Sequence, residues 1–109
     1  MKIDYEMIMC VVNAGYSNEA MTIAKNNGAT GGTVIHARGT GSREMESILN
    51  LTYNPEKDML FIVVDKKIVN KILTALYDNL GLNSDAKGIA FSLPVFSQVG
   101  MLQTENHEE

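Results

Sequence analysis

Residues 59–64 read MLFIVV, apolar at all six positions, with Asp58 before them and Asp65 after. Six residues make a strand and fall short of a helix, and the Ile and Val content favours a strand. A strand with no polar position has no face for water, so this one is predicted to be covered on both sides. The run YEMIMCVV (Tyr5 to Val12) reads the same way, with Met7–Val12 as its apolar part. Working outward, Ser17 or Asn18 is predicted to cap a helix running to about Asn27, with Ala20, Ile23 and Ala24 on one face and Gly28 after it. TVIHAR (Thr33 to Arg38) is a second strand. Asp65 is expected to cap a second helix, on which Ile68, Val69, Ile72, Leu73, Leu76 and Leu80 form an apolar stripe that stops at Gly81. LNSDAKG then leads to a last strand, IAFSLPV. The stretch from Gly39 to Lys57 has no clean period and contains Asn54-Pro55, so it is predicted as a long loop.

The order is strand-helix-strand twice over. It predicts an α+β fold, the ferredoxin-like βαββαβ arrangement with a four-stranded antiparallel sheet and both helices on one face. In that topology the first and third strands are central, which suits the two runs that are apolar throughout. Two helices cover only one face, however. Leaving the other apolar face in water would forfeit about 1.5–3 kcal/mol for each large side chain. Other copies of the chain are therefore expected to cover it, in an obligate homo-oligomer.

With 109 residues the chain is one domain, 45% hydrophobic and 20% charged. Its net charge of −4 is unevenly placed: residues 1–104 carry nine Lys/Arg against ten Asp/Glu, and the acidic tail 105–109 (ENHEE) adds three acids. A nearly neutral folded part argues against nucleic-acid binding, which needs a basic patch. The tail is expected to be disordered. The single cysteine, Cys10, excludes a disulfide framework within one chain and fits a reducing interior. The first apolar run is too short and too flanked by polar residues for a signal peptide, which makes a cytoplasmic setting the expectation.

Five of the nine glycines fall in GATGGTVIHARGTG (Gly28 to Gly41), on both sides of the second strand. Arg38-Gly39-Thr40-Gly41-Ser42 could turn several backbone N–H groups toward an anion, the geometry that cradles phosphate, although isolated Gly-x-Gly segments are more often turns. This stretch, the long loop closed by NPEK, MLFIVV before a helix, and GIAFSLPV near the end together resemble the PII signal-transduction family. The similarity runs from about Met7 to Met101 and leans toward the PII-like proteins of Gram-positive bacteria, of the PotN-type group.

That resemblance implies a homotrimer of ferredoxin-like subunits spanning residues 1–104, with sheets facing inward. It also implies a ligand, ADP or ATP, in the clefts between neighbours and no prosthetic group. By position, Gly31, Thr33 and Val63 would contact adenine. Gly39 and Gly41, with Arg38, Thr40 and Ser42, would lie by ribose and phosphates, and Lys87, Gly88 and Ile89 would form a second phosphate loop. The chain departs from the family where the lysine after that glycine is replaced by Ile89. It departs again where Gly100 and Leu102 stand in place of two arginines, leaving Arg38, Arg43 or Lys87 to supply positive charge. The long loop (about 39–57) would regulate a target such as a membrane transporter or an enzyme. Tyr53 lies near its end, Met45, Ile48, Leu49 and Leu51 form a short amphipathic stretch, and the glutamine that serves 2-oxoglutarate and Mg²⁺ is replaced around Arg43.

The function expected is thus a non-catalytic nucleotide sensor of energy state, tied to nitrogen regulation. The alternatives are a small ferredoxin-fold enzyme acting on phosphate compounds and a trimer of the CutA type. No nucleophile–base pair or carboxylate cluster favours the enzyme. Glu44 and Glu46 read as solvated, His36 reads as a strand histidine at an interface, and no spacing marks a metal site within one chain. The methionines read as core filler.

Overall fold

The computed structural model describes residues 3–40 and 55–101. Its elements are β1 (Tyr5–Asn13), α1 (Ser17–Asn26), β2 (Thr33–Arg38), β3 (Glu56–Asp65), a 3₁₀ turn (Lys66–Ile68), α2 (Val69–Leu80) and β4 (Ile89–Pro94). The strands form one antiparallel sheet in the order β2-β3-β1-β4, with the two apolar runs at its centre as expected.

Alternation along the strands sorts the side chains into two layers. Ile8, Cys10 and Val12 of β1 and Leu60, Ile62 and Val64 of β3 are buried. They share one core with Ala20 and Ala24 of α1 and with Val69, Ile72, Leu76 and Leu80 of α2. Both helices therefore lie on that face. The intervening residues, Met7, Met9, Val11, Met59, Phe61 and Val63, point the other way and are only half-buried. Ile35 on β2 and Ile89, Phe91 and Leu93 on β4 extend this apolar face to the edges, each more than a third exposed. The expectation for the methionines is corrected here. Among the described residues none is fully buried: Met21 packs against the core from its margin, and Met7, Met9 and Met59 belong to the open face.

Two boundaries differ from the sequence reading. The strand containing MLFIVV begins at Glu56, so the predicted long loop ends before it. Glu56, Lys57 and Asp58 pair with Arg38, Ala37 and His36, and their polarity hid them from a hydropathy pattern. The start of α1 also differs. Its N-cap is Tyr16, which makes no side-chain cap, and Ser17 is the first helical residue. Asp58, from β3, accepts from the Gly15 N–H (3.2 Å) and from the Ser17 hydroxyl, so a distant carboxylate does the work of a local cap. Asp65 caps as expected, accepting from the Lys67 N–H at 2.9 Å at the turn that leads into α2.

Candidate functional site

The expected site residues fall at two ends of the sheet. Gly31, Thr33 and Val63 lie at one end, where β2 begins and β3 finishes: Thr33 pairs with Phe61, and Val63 with Met7. Arg38, Gly39 and Thr40 lie at the other end with Lys87, Gly88 and Ile89, where Arg38 pairs with Glu56 and Ile89 with Val11. Five residues of extended chain separate Thr33 from Arg38, about 17 Å. The residues expected at adenine and those expected at phosphate therefore do not converge within one chain. Gly41, Ser42, Arg43, Glu44, Glu46, Tyr53, the amphipathic stretch 45–51, Leu102 and the tail 105–109 lie outside the described residues.

The glycines divide into those that the fold requires and one that it does not. A Cβ on Gly32 would stand 2.7 Å from the Phe61 carbonyl oxygen and 3.0 Å from Ile62 and Met21 side-chain carbons. Gly28 follows α1 with φ +112°, a backbone region that favours glycine. Gly88 packs so tightly on the Leu80 carbonyl that a side chain has no room, and its N–H donates to that same oxygen at 2.7 Å. Around Gly31, by contrast, a Cβ would meet nothing within 4 Å. Its place at the open end of the face is available for close approach.

At the end expected to meet phosphate, the backbone donors of Gly39, Lys87 and Gly88 are committed. The Gly39 N–H donates to the Pro55 carbonyl (2.7 Å), closing the stem of the long loop. The Lys87 N–H donates to the Ser84 carbonyl (3.1 Å), and Lys87 itself holds φ at 49°. Of the N–H groups expected to converge in residues 38–42, that of Gly39 is committed to Pro55, and those of Gly41 and Ser42 lie outside the described residues. Arg38 is exposed and makes a 3.4 Å pair with exposed Glu56, a contact weak enough to exchange for a ligand.

Lys57 was missed in the sequence reading. It sits on the open face between Ala37 and Asn13, midway between the Arg38 side and the Lys87 side. Its Nζ donates to Asn13 Oδ1 at 2.6 Å, and burial pulls its pKa down. Asn13, itself buried, donates from Nδ2 to the Asp85 carbonyl (2.9 Å) and from its N–H to the Ala86 carbonyl (2.8 Å). Ala86 is buried as well, so the loop before β4 is held against the sheet end by the residue that orients Lys57. The only signal was register: Lys57 lies two places before MLFIVV, an even spacing from Met59 on the same face.

His36 also acquires a defined role. Its Nδ1 lies 2.7 Å from Asp58 Oδ1; the carboxylate is buried and the imidazole is exposed. Burial pushes the Asp58 carboxyl up, but hydrogen bonds from His36, the Gly15 N–H and the Ser17 hydroxyl, with the attraction of His36, outweigh it and hold the carboxyl below the usual range. With Asp58 ionised, Nδ1 carries the proton and donates. The pair ties the end of β2 to β3 and to the start of α1. Elsewhere, burial pushes the Cys10 thiol up to about 11, which leaves it unreactive. Among the described residues no cluster of His, Cys, Asp and Glu could hold a metal, and no helix is long and apolar enough to cross a membrane.

Comparison with known proteins bears on this arrangement. The chain superposes on a PII-like signalling protein from Thermus thermophilus with a TM-score of 0.66 and 20% identity, over 86% of this chain and 88% of that one. It superposes on CPII, a PII-like nitrogen regulatory protein from Thiomonas intermedia bound to ADP, AMP and bicarbonate, with a TM-score of 0.67 and 16% identity over 94% and 99%. The GlnK–ATP complex of B. subtilis matches with a TM-score of 0.59 and 18% identity over 84% and 83%. At these identities the likeness establishes the fold. No curated protein sequence matches the chain. The family model for nitrogen regulatory protein P-II matches residues 5–106, nearly the whole length. The chain belongs to the P-II family of signalling proteins.

Proposed function

We propose that the protein is a non-catalytic sensor of cellular energy state that works as a homotrimer, binds ADP or ATP between neighbouring copies, and controls a target through the loop between β2 and β3. The observation that carries this reading is the division of the site. Residues suited to adenine (Gly31, Thr33, Val63) lie at one end of the open apolar sheet face; Lys57 stands on that face at the other end, with Arg38 and Lys87 beside it at the same end of the sheet. That face is itself incomplete. Burying its Met, Phe, Ile and Leu side chains stabilises an assembly by about 25 cal/mol per Å² removed from water. Copies packed face to face around an axis bring one end of each site against the other end of its neighbour.

In this reading Lys57 takes the place of the lysine that Ile89 displaces. The bond to Asn13 holds its ammonium in place at the sheet end, and an anion bound there would offset the burial that pulls its pKa down. Arg38 leaves Glu56 to join it. A target such as a membrane transporter or an enzyme in nitrogen metabolism reads the loop, whose stem is set by Gly39–Pro55 and by His36–Asp58. ADP and ATP differ only at the phosphate end, where the loop begins. Relatives with this fold that were captured with ADP, AMP or ATP support the ligand class.

Titration calorimetry with ATP, ADP, AMP and cyclic AMP, paired with light scattering, tests the proposal. The expected result is one site per chain on a trimeric particle, with no ADP or phosphate released from ATP during the measurement. A stable monomer at micromolar concentration refutes the shared site, and steady ATP hydrolysis refutes the sensor in favour of an enzyme.

A further inference from the structure

We propose that Asn13, the last residue of β1, is the positioning residue of the phosphate end: its buried amide sets both Lys57 on β3 and the loop that carries Lys87, so the two cations are placed as a unit. The inference rests on the nucleotide reading above, which gives both lysines a phosphate to meet. Asn13 itself needs no contact with the ligand.

Asn13 ends a strand on which Met7, Met9 and Val11 face the same way, yet it is polar and only 8% exposed. A buried amide is costly unless its donors and acceptors are met. All four polar groups of Asn13 are met, and by three separate segments. Its carbonyl accepts from the Tyr16 N–H at 3.2 Å, ahead of α1. Oδ1 accepts from Lys57 Nζ at 2.6 Å. Nδ2 donates to the Asp85 carbonyl at 2.9 Å, and the backbone N–H donates to the Ala86 carbonyl at 2.8 Å. The amide has one workable orientation. An ammonium only donates and a carbonyl only accepts, so turning the group over would set like against like at both ends. A leucine of similar size would fill the space and orient neither neighbour.

The consequence reaches Lys87. Asn13 holds the carbonyls of the two residues before it, and the Gly88 N–H just after it donates to the Leu80 carbonyl at 2.7 Å. Pinned on both sides, Lys87 stands at φ 49°, a region that residues other than glycine seldom occupy. Lys57 and the Lys87 loop thus come from different parts of the chain and share one planar amide between them. A polyphosphate uses two cations held at a fixed spacing, because their ordering is complete before it binds. Adenosine makes no use of that spacing.

Calorimetry with ATP and with adenosine, on the full chain, tests this. Asn13→Leu should lower ATP affinity about tenfold more than adenosine affinity. In a chain that already carries Lys57→Met and Lys87→Met, the same substitution should lower the two affinities equally, because the cations it positions are gone. An equal loss for both ligands in the parent background overturns the proposal, since a residue that only stabilises the fold gives that result. An excess loss for ATP that persists at full size without the two lysines overturns it as well. The unmutated chain supplies a measurement that needs no variant to fold. ATP, compared with adenosine at equal saturation, should slow hydrogen exchange of the Asn13 and Ala14 amides, whose acceptors are the Ala86 and Glu56 carbonyls. Unchanged exchange at both amides overturns the inference. Binding by the parent keeps the two readings apart. A parent that binds no ATP removes the sensor and the role of Asn13 together, whereas a parent that binds while Asn13→Leu matches it removes only the role of Asn13.

Discussion

Replacing Asp58 by alanine should cost more stability than any other single polar change in the described part of the chain. Its carboxylate is 2% exposed and accepts from three donors: His36 Nδ1 at 2.7 Å, the Gly15 N–H at 3.2 Å, and the Ser17 hydroxyl. A hydrogen bond to a charged group contributes about 1.5–3 kcal/mol, and a lost helix cap about 1 kcal/mol. The exposed His36 recovers its bond from water, so the loss is dominated by the Gly15 and Ser17 partners at the start of α1. The sum is about 3 kcal/mol. For a domain of this size that lowers Tm by roughly 12–20 °C. The pH dependence has a definite sign. The folded carboxyl is held below its unfolded value, so its contribution is complete above about pH 4 and is lost as pH falls through the folded value. Thermal melts of the parent, Asp58→Ala and Asp58→Asn at one protein concentration, from about pH 7 to about pH 2, measure both effects. The gap between the parent and Asp58→Asn should narrow below about pH 4, since the amide cannot titrate. A Tm change under about 3 °C for the alanine variant, or a gap constant across the whole pH range, refutes the role given to Asp58.

Gly31→Ala should leave the ligand-free Tm unchanged, because nothing lies within 4 Å of the new methyl group, yet weaken ADP binding by calorimetry. Gly32→Ala should do the opposite, costing about 1–3 kcal/mol in urea unfolding through its clash with the Phe61 carbonyl; equal behaviour of the two variants would sink the distinction. Lys57→Met should weaken ATP binding more than adenosine binding, since its ammonium meets the ligand only at the phosphate end; an equal loss for both ligands rejects that placement. For 2-oxoglutarate, added with Mg-ATP, no heat of binding is expected, because the glutamine and loop-stem pattern that serve it in the family are absent.

Much of the fold was legible because central strands announce themselves. MLFIVV and MIMCVV are apolar on both faces, and no short element other than a twice-covered strand accommodates that pattern. The helices followed from the period of Ile68 to Leu80 and the cap at Asp65, and the apolar face that the helices leave uncovered followed from counting helices against faces. The polar start of β3 was illegible for the converse reason. Glu56, Lys57 and Asp58 extend the strand because Arg38, Ala37 and His36 stand opposite them, and that pairing is set across a stretch of chain that hydropathy reads as loop.

The site shows the same division. A glycine-rich stretch and a matching family pattern pointed to phosphate, but composition does not separate a glycine that admits a ligand from one that admits a neighbouring carbonyl. Only the tertiary structure shows Gly32 and Gly88 filled by Phe61 and Leu80 while Gly31 stands open. Local sequence carries the preferences of residues for helix, strand, turn and burial, which arise from contacts a few positions apart. Which carboxylate caps α1, which lysine reaches the sheet end, and how far the residues expected at adenine lie from those expected at phosphate depend on groups brought together from 22 to 72 positions apart. Those contacts exist only once the sheet has closed in register, because strand pairing alone converts separation along the chain into contact in space.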